Sequence, residues 1–244
     1  GVTVYSKNAD VKRYPASLTK IMTYVVVAEN VSDFTQKVKI KASVLKPLEG
    51  TGSSQSAVSD NIGKSFTIEQ LLKCLMISSG NDAALVLADY VGGEGGVTHF
   101  VQMMNDKAKK LGLKNTHFKN ATGLHDPDHY TCAHDLAIMA AYLIEIGGED
   151  LFAVTSLYDS YIREDTKQSF WLVNTNKLLK LYNGVDGLKT GYTKEAGYCL
   201  VTTAQRDGQR IIGVLMKETA PKTRNEEMCS LLDYGFNNYK QVTI

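Results

Sequence analysis

The sequence lacks an excess of charge of either sign and lacks a long apolar run. Its 244 residues include 27 basic and 26 acidic side chains, which leave a net charge of +1. Such a balance gives no long-range field toward nucleic acid or an anionic membrane, so neither is an expected partner. The densest apolar run, residues 21–28, is too short to cross a bilayer. Gly1 is followed at once by strand-like residues 2–5, so the sequence predicts a strand and not a signal peptide there.

Cysteine is also scarce, and its spacing fits no metal site. None of the four cysteines forms a CxxC pair, and they stand at Cys74, Cys132, Cys199 and Cys229. A domain of this size needs no covalent staples, so we expect buried or partly buried thiols. Histidine and aspartate do crowd around Pro127, at His125, Asp126, Asp128, His129, His134 and Asp135. We interpret them as a hydrogen-bonded loop and expect neither a metal ion nor a cofactor.

Local patterns predict an α/β fold in which a largely antiparallel sheet is packed by helices and joined to an all-α lobe. Helices are expected over residues 17–29, 67–78, 81–90, 97–111, 133–146 and 223–239, the second capped by Thr67. Strands are expected over residues 2–5, 37–40, 198–205 and 210–216. Asp207-Gly208 predicts the turn of a hairpin between the last two strands. Residues 50–65 are rich in Gly, Ser and Asn and indicate one long surface loop.

The chemistry is carried by three short patterns in a fixed order, Ser17-Leu18-Thr19-Lys20, Ser79-Gly80-Asn81 and Lys189-Thr190-Gly191. Ser17 follows Pro15 at a helix start, where free backbone N–H groups favour an oxyanion. Lys20 lies one turn later on the same face and could activate the serine hydroxyl if its pKa were lowered by burial and by Lys189. Lys189 and Thr190 offer donors to a carboxylate, and Gly191 allows a ligand to approach the strand.

Each pattern alone is weak, and the chain contains two imitations. Ser43-Val44-Leu45-Lys46 repeats the first pattern, but Pro47 and Gly50 follow within two turns and exclude a comparable helix. Ser59-Asp60-Asn61 resembles the middle pattern, but it falls in the predicted loop, where Asn and Asp are ordinary turn residues. We therefore assign the middle pattern to Ser79.

Extended blocks around the three patterns resemble those of low-molecular-mass penicillin-binding proteins, the serine D-alanyl-D-alanine carboxypeptidases of the penicillin-recognising superfamily. These blocks are residues 13–23, 79–84 and 185–193, with a further one at 129–137. The similarity runs from about Val4 to Tyr239 and implies a β-lactamase/transpeptidase-like fold. The implied activity removes the terminal D-Ala from peptidoglycan stem pentapeptides, and β-lactams would inhibit it covalently.

The resemblance also implies a role for each site residue. Ser17 would form the acyl-enzyme with Lys20 as its base, while Ser79 and Asn81 would relay a proton and hold the substrate. Lys189 and Thr190 would receive the terminal carboxylate, and the Ser17 and Tyr192 N–H groups would form the oxyanion hole. Arg224 matches a family arginine near the carboxylate site, although a solvated arginine at a helix start is an equal alternative.

The resemblance sets expectations for domain extent and location too. Residues 1–244 would be the catalytic domain, without the family's first strand, its C-terminal β domain or its amphipathic anchor. The protein would act in the cell envelope, outside the cytoplasm, and would touch a membrane only through segments that this chain does not contain.

Two other functions stay open. A serine β-lactamase of class A needs a water-activating glutamate between the second and third patterns. Here no glutamate occurs between Glu94 and Glu145, and no ExxLN pattern follows. A penicillin sensor that is acylated without turnover is the second alternative, although a sensor would normally be fused to a membrane segment.

Overall fold

The computed structural model of the protein describes residues 1–240. The helices are α1 (Thr19–Asn30), α2 (Ala42–Leu45), α3 (Ile68–Met76), α4 (Asn81–Gly92), α5 (Gly96–Lys110), α6 (Ala133–Thr155), α7 (Leu178–Leu181) and α8 (Pro221–Asn238). The strands are β1 (Lys37–Lys39), β2 (Ser65–Thr67), β3 (Asp159–Ile162), β4 (Phe170–Val173), β5 (Val185–Thr193), β6 (Gly197–Arg206) and β7 (Gln209–Glu218). Within the described range, no helix combines the length and apolar character that a membrane span requires.

The main sheet has the strand order β5-β6-β7, and every strand pair in residues 1–240 is antiparallel. The predicted hairpin between β6 and β7 is confirmed, and its turn residues Asp207 and Gly208 both have positive φ, 49° and 79°. Two positive φ values match the right-handed twist of the flanking strands, which is why Asp-Gly favours this turn. The short pairs β1-β2 and β3-β4 form separate ribbons.

Helices cover both faces of this sheet because β6 is apolar on both sides. Its residues Leu200 and Ala204 pack against α8, through Met228 and Leu232. Val201 and Cys199, which point the opposite way, join the larger core that contains α1 and α6. The α/β fold class predicted from the sequence is confirmed, as is the burial of the thiols: three cysteines are buried and Cys229 is partly so.

The all-α lobe consists of α3, α4 and α5 packed against α1. Its first helix begins where the sequence predicts, because the Thr67 hydroxyl accepts a hydrogen bond from the Gln70 N–H at 3.1 Å. The Gln70 side chain accepts in return from the Thr67 N–H at 3.0 Å, which completes a capping box. The capping box sets the start of α3, which ends at Met76, and the Ser79 segment follows.

The predicted strand over residues 2–5 is wrong. Val2 is 90% exposed, and no strand within residues 1–240 pairs with this segment. A β-strand needs a neighbour to satisfy its backbone groups, so a strand-like composition alone does not produce one. Tyr5 instead packs edge-on against Tyr234 of α8, with ring centroids 6.0 Å apart.

The predicted end of a helix at Gly147-Gly148 is only half right. Gly148 leaves the helical conformation, with φ 46° and ψ −133°. The chain then resumes a helical course to Thr155, because Leu151 and Val154 repeat at helical spacing and are buried in the core. Two glycines therefore bend this helix rather than end it.

Candidate active site

Ser17 lies in a short 3-10 turn, Ala16–Leu18, that leads directly into α1. One turn further on, the Lys20 ammonium donates a hydrogen bond to the Ser17 hydroxyl, with Nζ and Oγ 2.9 Å apart. The structure thus brings the two side chains together as the i, i+3 spacing predicts. A serine and a lysine at hydrogen-bond distance can exchange a proton.

Lys20 is completely buried, and its other two hydrogen bonds go to uncharged oxygens. Its Nζ lies 2.6 Å from Asn81 Oδ1 and 2.7 Å from the Thr122 carbonyl oxygen. Burial lowers the pKa of Lys20 well below its usual value, and the positive charge of Lys189 lowers it further, against an opposing effect of Asp82. This environment favours the neutral amine, the form that can accept the Ser17 proton.

The junction that carries Ser79 and Asn81 is held rigidly between α3 and α4. The Gly80 N–H donates to the Cys74 carbonyl and the Asn81 N–H to the Ser54 carbonyl, each at 2.9 Å. Gly80 has no room for a side chain, because a Cβ there would lie 2.7 Å from Asp82 Oδ1. Ser79 has a positive φ of 62°. Its hydroxyl makes no hydrogen bond to any described residue, so it remains available to a ligand.

Hydrogen bonds to Asp82 explain the structural role of Ser59, in the Ser59-Asp60-Asn61 imitation of the middle pattern. This buried carboxylate accepts from the N–H and hydroxyl groups of both Ser56 and Ser59, over distances of 2.8–3.0 Å. The predicted exposed loop over residues 50–65 is therefore wrong in part, since its middle is buried around Asp82. Ser59 serves to anchor this loop, whereas Asn81 contacts Lys20.

The strand β5 forms the opposite wall of the site and lies against the start of α1. A Cβ on Gly191 would stand 2.9 Å from the Pro15 carbonyl oxygen and 3.1 Å from the Ser17 nitrogen. Only glycine allows this approach, which explains why the third pattern ends in Gly191. The neighbouring Tyr192 projects outward and stacks on Tyr198, with ring centroids 4.4 Å apart.

Lys189 and Thr190 are buried on the same strand. The ammonium of Lys189 donates to the Thr190 carbonyl oxygen at 3.0 Å, and the Thr190 hydroxyl lies 2.6 Å from that of Thr175. Burial, together with the positive charge of Arg224, lowers the pKa of Lys189 to about 7. A bound anion would reverse this effect by stabilising the charged lysine.

Arg224 is buried, with 5% of its surface exposed, so the interpretation as a solvated arginine at a helix start is wrong. Burial lowers the pKa of its guanidinium, whose hydrogen bonds go to Asn225 Oδ1. Within residues 1–240, Lys20, Lys189 and Arg224 form no ion pair with a carboxylate. Lys189 and Arg224, two buried basic groups that no carboxylate pairs with in this range, make a site that suits a carboxylate ligand.

The sequence analysis missed the loop that supplies the Thr122 carbonyl. Gly123 has φ 90°, and a Cβ there would lie only 1.9 Å from the Ala16 carbonyl oxygen. Asn120 shapes the turn, because its Oδ1 accepts from the N–H groups of Thr122 and Gly123 at 3.1 and 2.7 Å. An asparagine shortly before a glycine, here Asn120 and Gly123, is typical of turns, so this pattern could have predicted the loop.

The histidine-rich segment supports α1. The Lys119 N–H donates to His129 Nδ1 at 2.9 Å, so the ring proton sits on Nε2 and is donated to the Thr19 hydroxyl at 2.7 Å. Burial lowers the pKa of His129 to about 4 and keeps the ring neutral. Within the described range, no group of three or more His, Cys, Asp or Glu side chains is arranged to hold a metal ion.

Comparisons with known proteins converge on one family. Residues 1–220 match the family model described as D-alanyl-D-alanine carboxypeptidase. The chain is 42% identical over 240 residues to D-alanyl-D-alanine carboxypeptidase DacF of Bacillus subtilis, covering 98% of this chain and 60% of that protein. It is 34% identical over 245 residues to the D-alanyl-D-alanine carboxypeptidase of Streptomyces sp. strain K15, covering 97% of this chain and 83% of that enzyme.

A solved structure shows the same fold. The crystal structure described as the Streptomyces K15 DD-transpeptidase superposes with a TM-score of 0.90 at 33% identity, covering 97% of this chain and 93% of that one. The chain thus spans most of the Streptomyces enzyme but only 60% of the length of the Bacillus relative.

Proposed function

The chain belongs to the D-alanyl-D-alanine carboxypeptidase family, and from that premise we propose that it removes the terminal D-Ala of peptidoglycan stem pentapeptides through an acyl-enzyme on Ser17. The contact of Lys20 Nζ with both Ser17 Oγ and Asn81 Oδ1, at 2.9 and 2.6 Å, carries this proposal. These contacts place the nucleophile next to its base and connect both to the α3–α4 junction, which carries Asn81.

In the acylation step, Ser17 Oγ attacks the carbonyl carbon of the penultimate D-Ala while Lys20 Nζ takes its proton. The negative charge that develops on the carbonyl oxygen is stabilised by the Ser17 and Tyr192 N–H groups. The amide C–N bond then breaks, and the leaving D-alanine nitrogen receives a proton by way of Ser79. Asn81 holds Lys20 and the substrate backbone in register.

Recognition of the substrate depends on its free C-terminus. Lys189 and Thr190 bind the terminal carboxylate, with Arg224 as the more distant cation. Lys189 is buried beside a second cation and its pKa is lowered to about 7, so binding an anion there stabilises its charged form. The need for a carboxylate at this position selects peptides whose free C-terminus lies one residue beyond the bond that is cleaved. Cleavage at that bond removes the C-terminal residue, as a carboxypeptidase does.

In the second step, water attacks the Ser17 ester and regenerates the enzyme. One observation favours an amine as a second acceptor of the acyl group. The Streptomyces K15 structure, which matches 97% of this chain, is described as a DD-transpeptidase. An amine in place of water would join two stem peptides by the same acyl-enzyme. The chemistry at Ser17 is identical in both reactions, and only the acceptor differs.

The proposal extends to partners, location and domain extent. β-Lactams would acylate Ser17 covalently, because they also present a carboxylate beside a reactive carbonyl. The substrate places the enzyme in the cell envelope, outside the cytoplasm. Residues 1–244 would form one catalytic domain. A class A β-lactamase is disfavoured, because none of the glutamates between the second and third patterns begins an ExxLN sequence, where that class has its water-activating glutamate.

The decisive experiment measures release of D-alanine from a peptide ending in D-Ala-D-Ala, beside hydrolysis of a chromogenic cephalosporin. We expect release of D-alanine and no sustained hydrolysis of the cephalosporin. The Ser17→Ala variant is the control and should do neither. Rapid multiple turnover of the cephalosporin would identify a β-lactamase, and acylation by penicillin without release of D-alanine would identify a sensor.

A further inference from the structure

A second cavity, which we call the upstream cavity, opens at the end of β5. It has a volume of about 100 Å³ and is lined by Lys12, Arg13, Tyr14, Glu195 and Lys217. Two of its walls continue from the acylation site. Glu195 follows β5 by two residues, and Tyr14 precedes Pro15, whose carbonyl oxygen faces Gly191. The upstream cavity is therefore next to the Ser17 site, although none of its residues serves acylation.

The upstream cavity carries an uncompensated positive charge. Three cations face the single carboxylate of Glu195, and none of the three forms an ion pair with a carboxylate in residues 1–240. The Lys12 ammonium lies over the Tyr130 ring, 4.3 Å from its centroid. Lys217 donates to the backbone carbonyl of Glu195 at 2.7 Å. Both lysines are thus held in place by uncharged groups, so no carboxylate of the described residues neutralises them.

The backbone at Lys217 is distorted in a way that directs this side chain. The pairing of β6 with β7 shifts register between Tyr198 and Leu200, which leaves an extra residue on β7. Lys217 takes up the distortion with φ 70°, a left-handed conformation that non-glycine residues seldom adopt. Opposite it, a Cβ on Gly197 would lie 2.9 Å from the Glu218 carbonyl oxygen. Bulges of this kind redirect side chains beside functional sites.

The geometry of the acylation site fixes which part of a substrate reaches this cavity. β5 is an edge strand of the main sheet, so an extended peptide can pair with it. With the terminal carboxylate at Thr190 and the scissile carbonyl at Tyr192, the peptide runs antiparallel to β5. At about 3.4 Å per residue, the residues upstream of D-Ala-D-Ala then pass Thr193 and reach Glu195.

On the basis of the proposed function, we infer that the upstream cavity binds a carboxylate carried by the donor peptide upstream of its D-Ala-D-Ala end. Arg13 and Lys217 contact this carboxylate, and Lys12 adds to the field. The enzyme thereby reads two anionic groups on one substrate, the terminal carboxylate at Lys189 and a second one at the far end of β5. Peptides that carry both are the preferred donors.

The test compares two synthetic donors that differ in one group, acetyl-Glu-Xaa-D-Ala-D-Ala and acetyl-Gln-Xaa-D-Ala-D-Ala, where Xaa is acetylated lysine. For the unmodified enzyme we expect kcat/KM to favour the Glu peptide roughly fivefold, the upper range for a partly exposed charge pair. The preference should shrink as salt is added, because screening weakens such pairs. Equal kcat/KM for the two peptides would overturn the inference and leave the carboxypeptidase activity standing.

Variants locate the preference. Lys217→Gln and Arg13→Gln should each bring the Glu-to-Gln ratio close to one, while Lys109→Gln, an exposed lysine on α5, keeps the ratio of the unmodified enzyme. The ratio compares two substrates on the same preparation, so a loss of folded protein cancels. A preference that survives both cavity variants would overturn the assignment to this cavity. Release of D-alanine from neither peptide would overturn the proposed function and this inference with it.

Discussion

The hydroxyl oxygens of Thr175 and Thr190 lie 2.6 Å apart, and this contact connects the two walls of the site. Thr175 follows β4, and its N–H donates to the carbonyl of Ile77 at 3.2 Å, two residues before Ser79. One residue thus touches both the segment that leads to Ser79 and the strand that carries Lys189. We consider Thr175 a positioning residue, which acts on the substrate through the Thr190 hydroxyl.

We expect Thr175→Val, which keeps the shape of the side chain but removes its hydroxyl, to raise KM for D-Ala-D-Ala peptides about fivefold. That factor corresponds to the loss of one hydrogen bond of about 1 kcal/mol. Thr175→Ser keeps the hydroxyl and should restore most of the affinity. Steady-state release of D-alanine measures both variants. A fall in kcat with unchanged KM would contradict a role in binding the carboxylate.

Lys20→Arg should abolish acylation although it preserves the positive charge. A guanidinium stays protonated at any working pH, so it cannot accept the Ser17 proton. Intact-mass measurement after treatment with penicillin would detect the adduct. Lys46→Arg, in the imitation of the first pattern, is the matched control and should acylate normally. Acylation of Lys20→Arg within about tenfold of the unmodified enzyme would mean that another group is the base.

Ser59→Ala should lower stability and leave the chemistry intact. The Ser59 hydroxyl donates to the buried Asp82 carboxylate at 3.0 Å, and the loss of a hydrogen bond to a charged group costs about 1.5–3 kcal/mol. Ser43→Ala, in a short exposed helix, should change neither property. Thermal unfolding and kcat would be measured together. A loss of kcat above about tenfold in folded Ser59→Ala would make Ser59 part of the site.

Local elements could be predicted because their causes are local. The Thr67 capping box, the Asp207-Gly208 turn and the helix that carries Ser17 and Lys20 each depend on residues within a few positions of one another. The three patterns occur in a fixed order within extended blocks. That arrangement indicated the family, and the family implied the fold. The site could be predicted as far as those patterns extend.

The rest depends on contacts between distant segments, which no periodicity encodes. Lys20 meets the Thr122 carbonyl across 102 positions of sequence, and Arg224 is buried because α8 packs against β6 and β7. Trp171 is 54% exposed although it is the only tryptophan of the sequence. It lies on the two-stranded ribbon β3-β4, where it stacks on Tyr161 with centroids 6.4 Å apart. A ribbon without a third layer leaves such a face open to solvent.

Gly123→Ala should disrupt the site more severely than any other glycine substitution in its loop. The new Cβ would lie 1.9 Å from the Ala16 carbonyl oxygen, so the loop must move and take the Thr122 carbonyl away from Lys20. Gly112→Ala is the matched control, since its φ of 72° is similar but nothing lies within 4 Å of a Cβ there. The control should lose about 1 kcal/mol of unfolding free energy from backbone strain.

Penicillin acylation separates the two glycine variants. Gly123→Ala should unfold at a lower temperature than Gly112→Ala and acylate at least about tenfold more slowly where it is still folded. If both variants lost the same stability and acylated alike, the close approach of this loop to Ala16 would not matter to the site.

The pH dependence of kcat/KM should be bell-shaped, because the two buried lysines must hold opposite charge states. Lys20 acts as a base only when neutral, so activity rises as the pH increases through its lowered pKa. Lys189 binds the carboxylate only when charged, so activity falls as the pH increases through its pKa of about 7. Lys189→Arg separates the two limbs, since the guanidinium does not titrate in this range but still lowers the pKa of Lys20. The variant should keep the acidic limb and lose the basic limb near pH 7 when kcat/KM is measured across pH with a D-Ala-D-Ala peptide. A basic limb that stays in place in Lys189→Arg would assign it to another group.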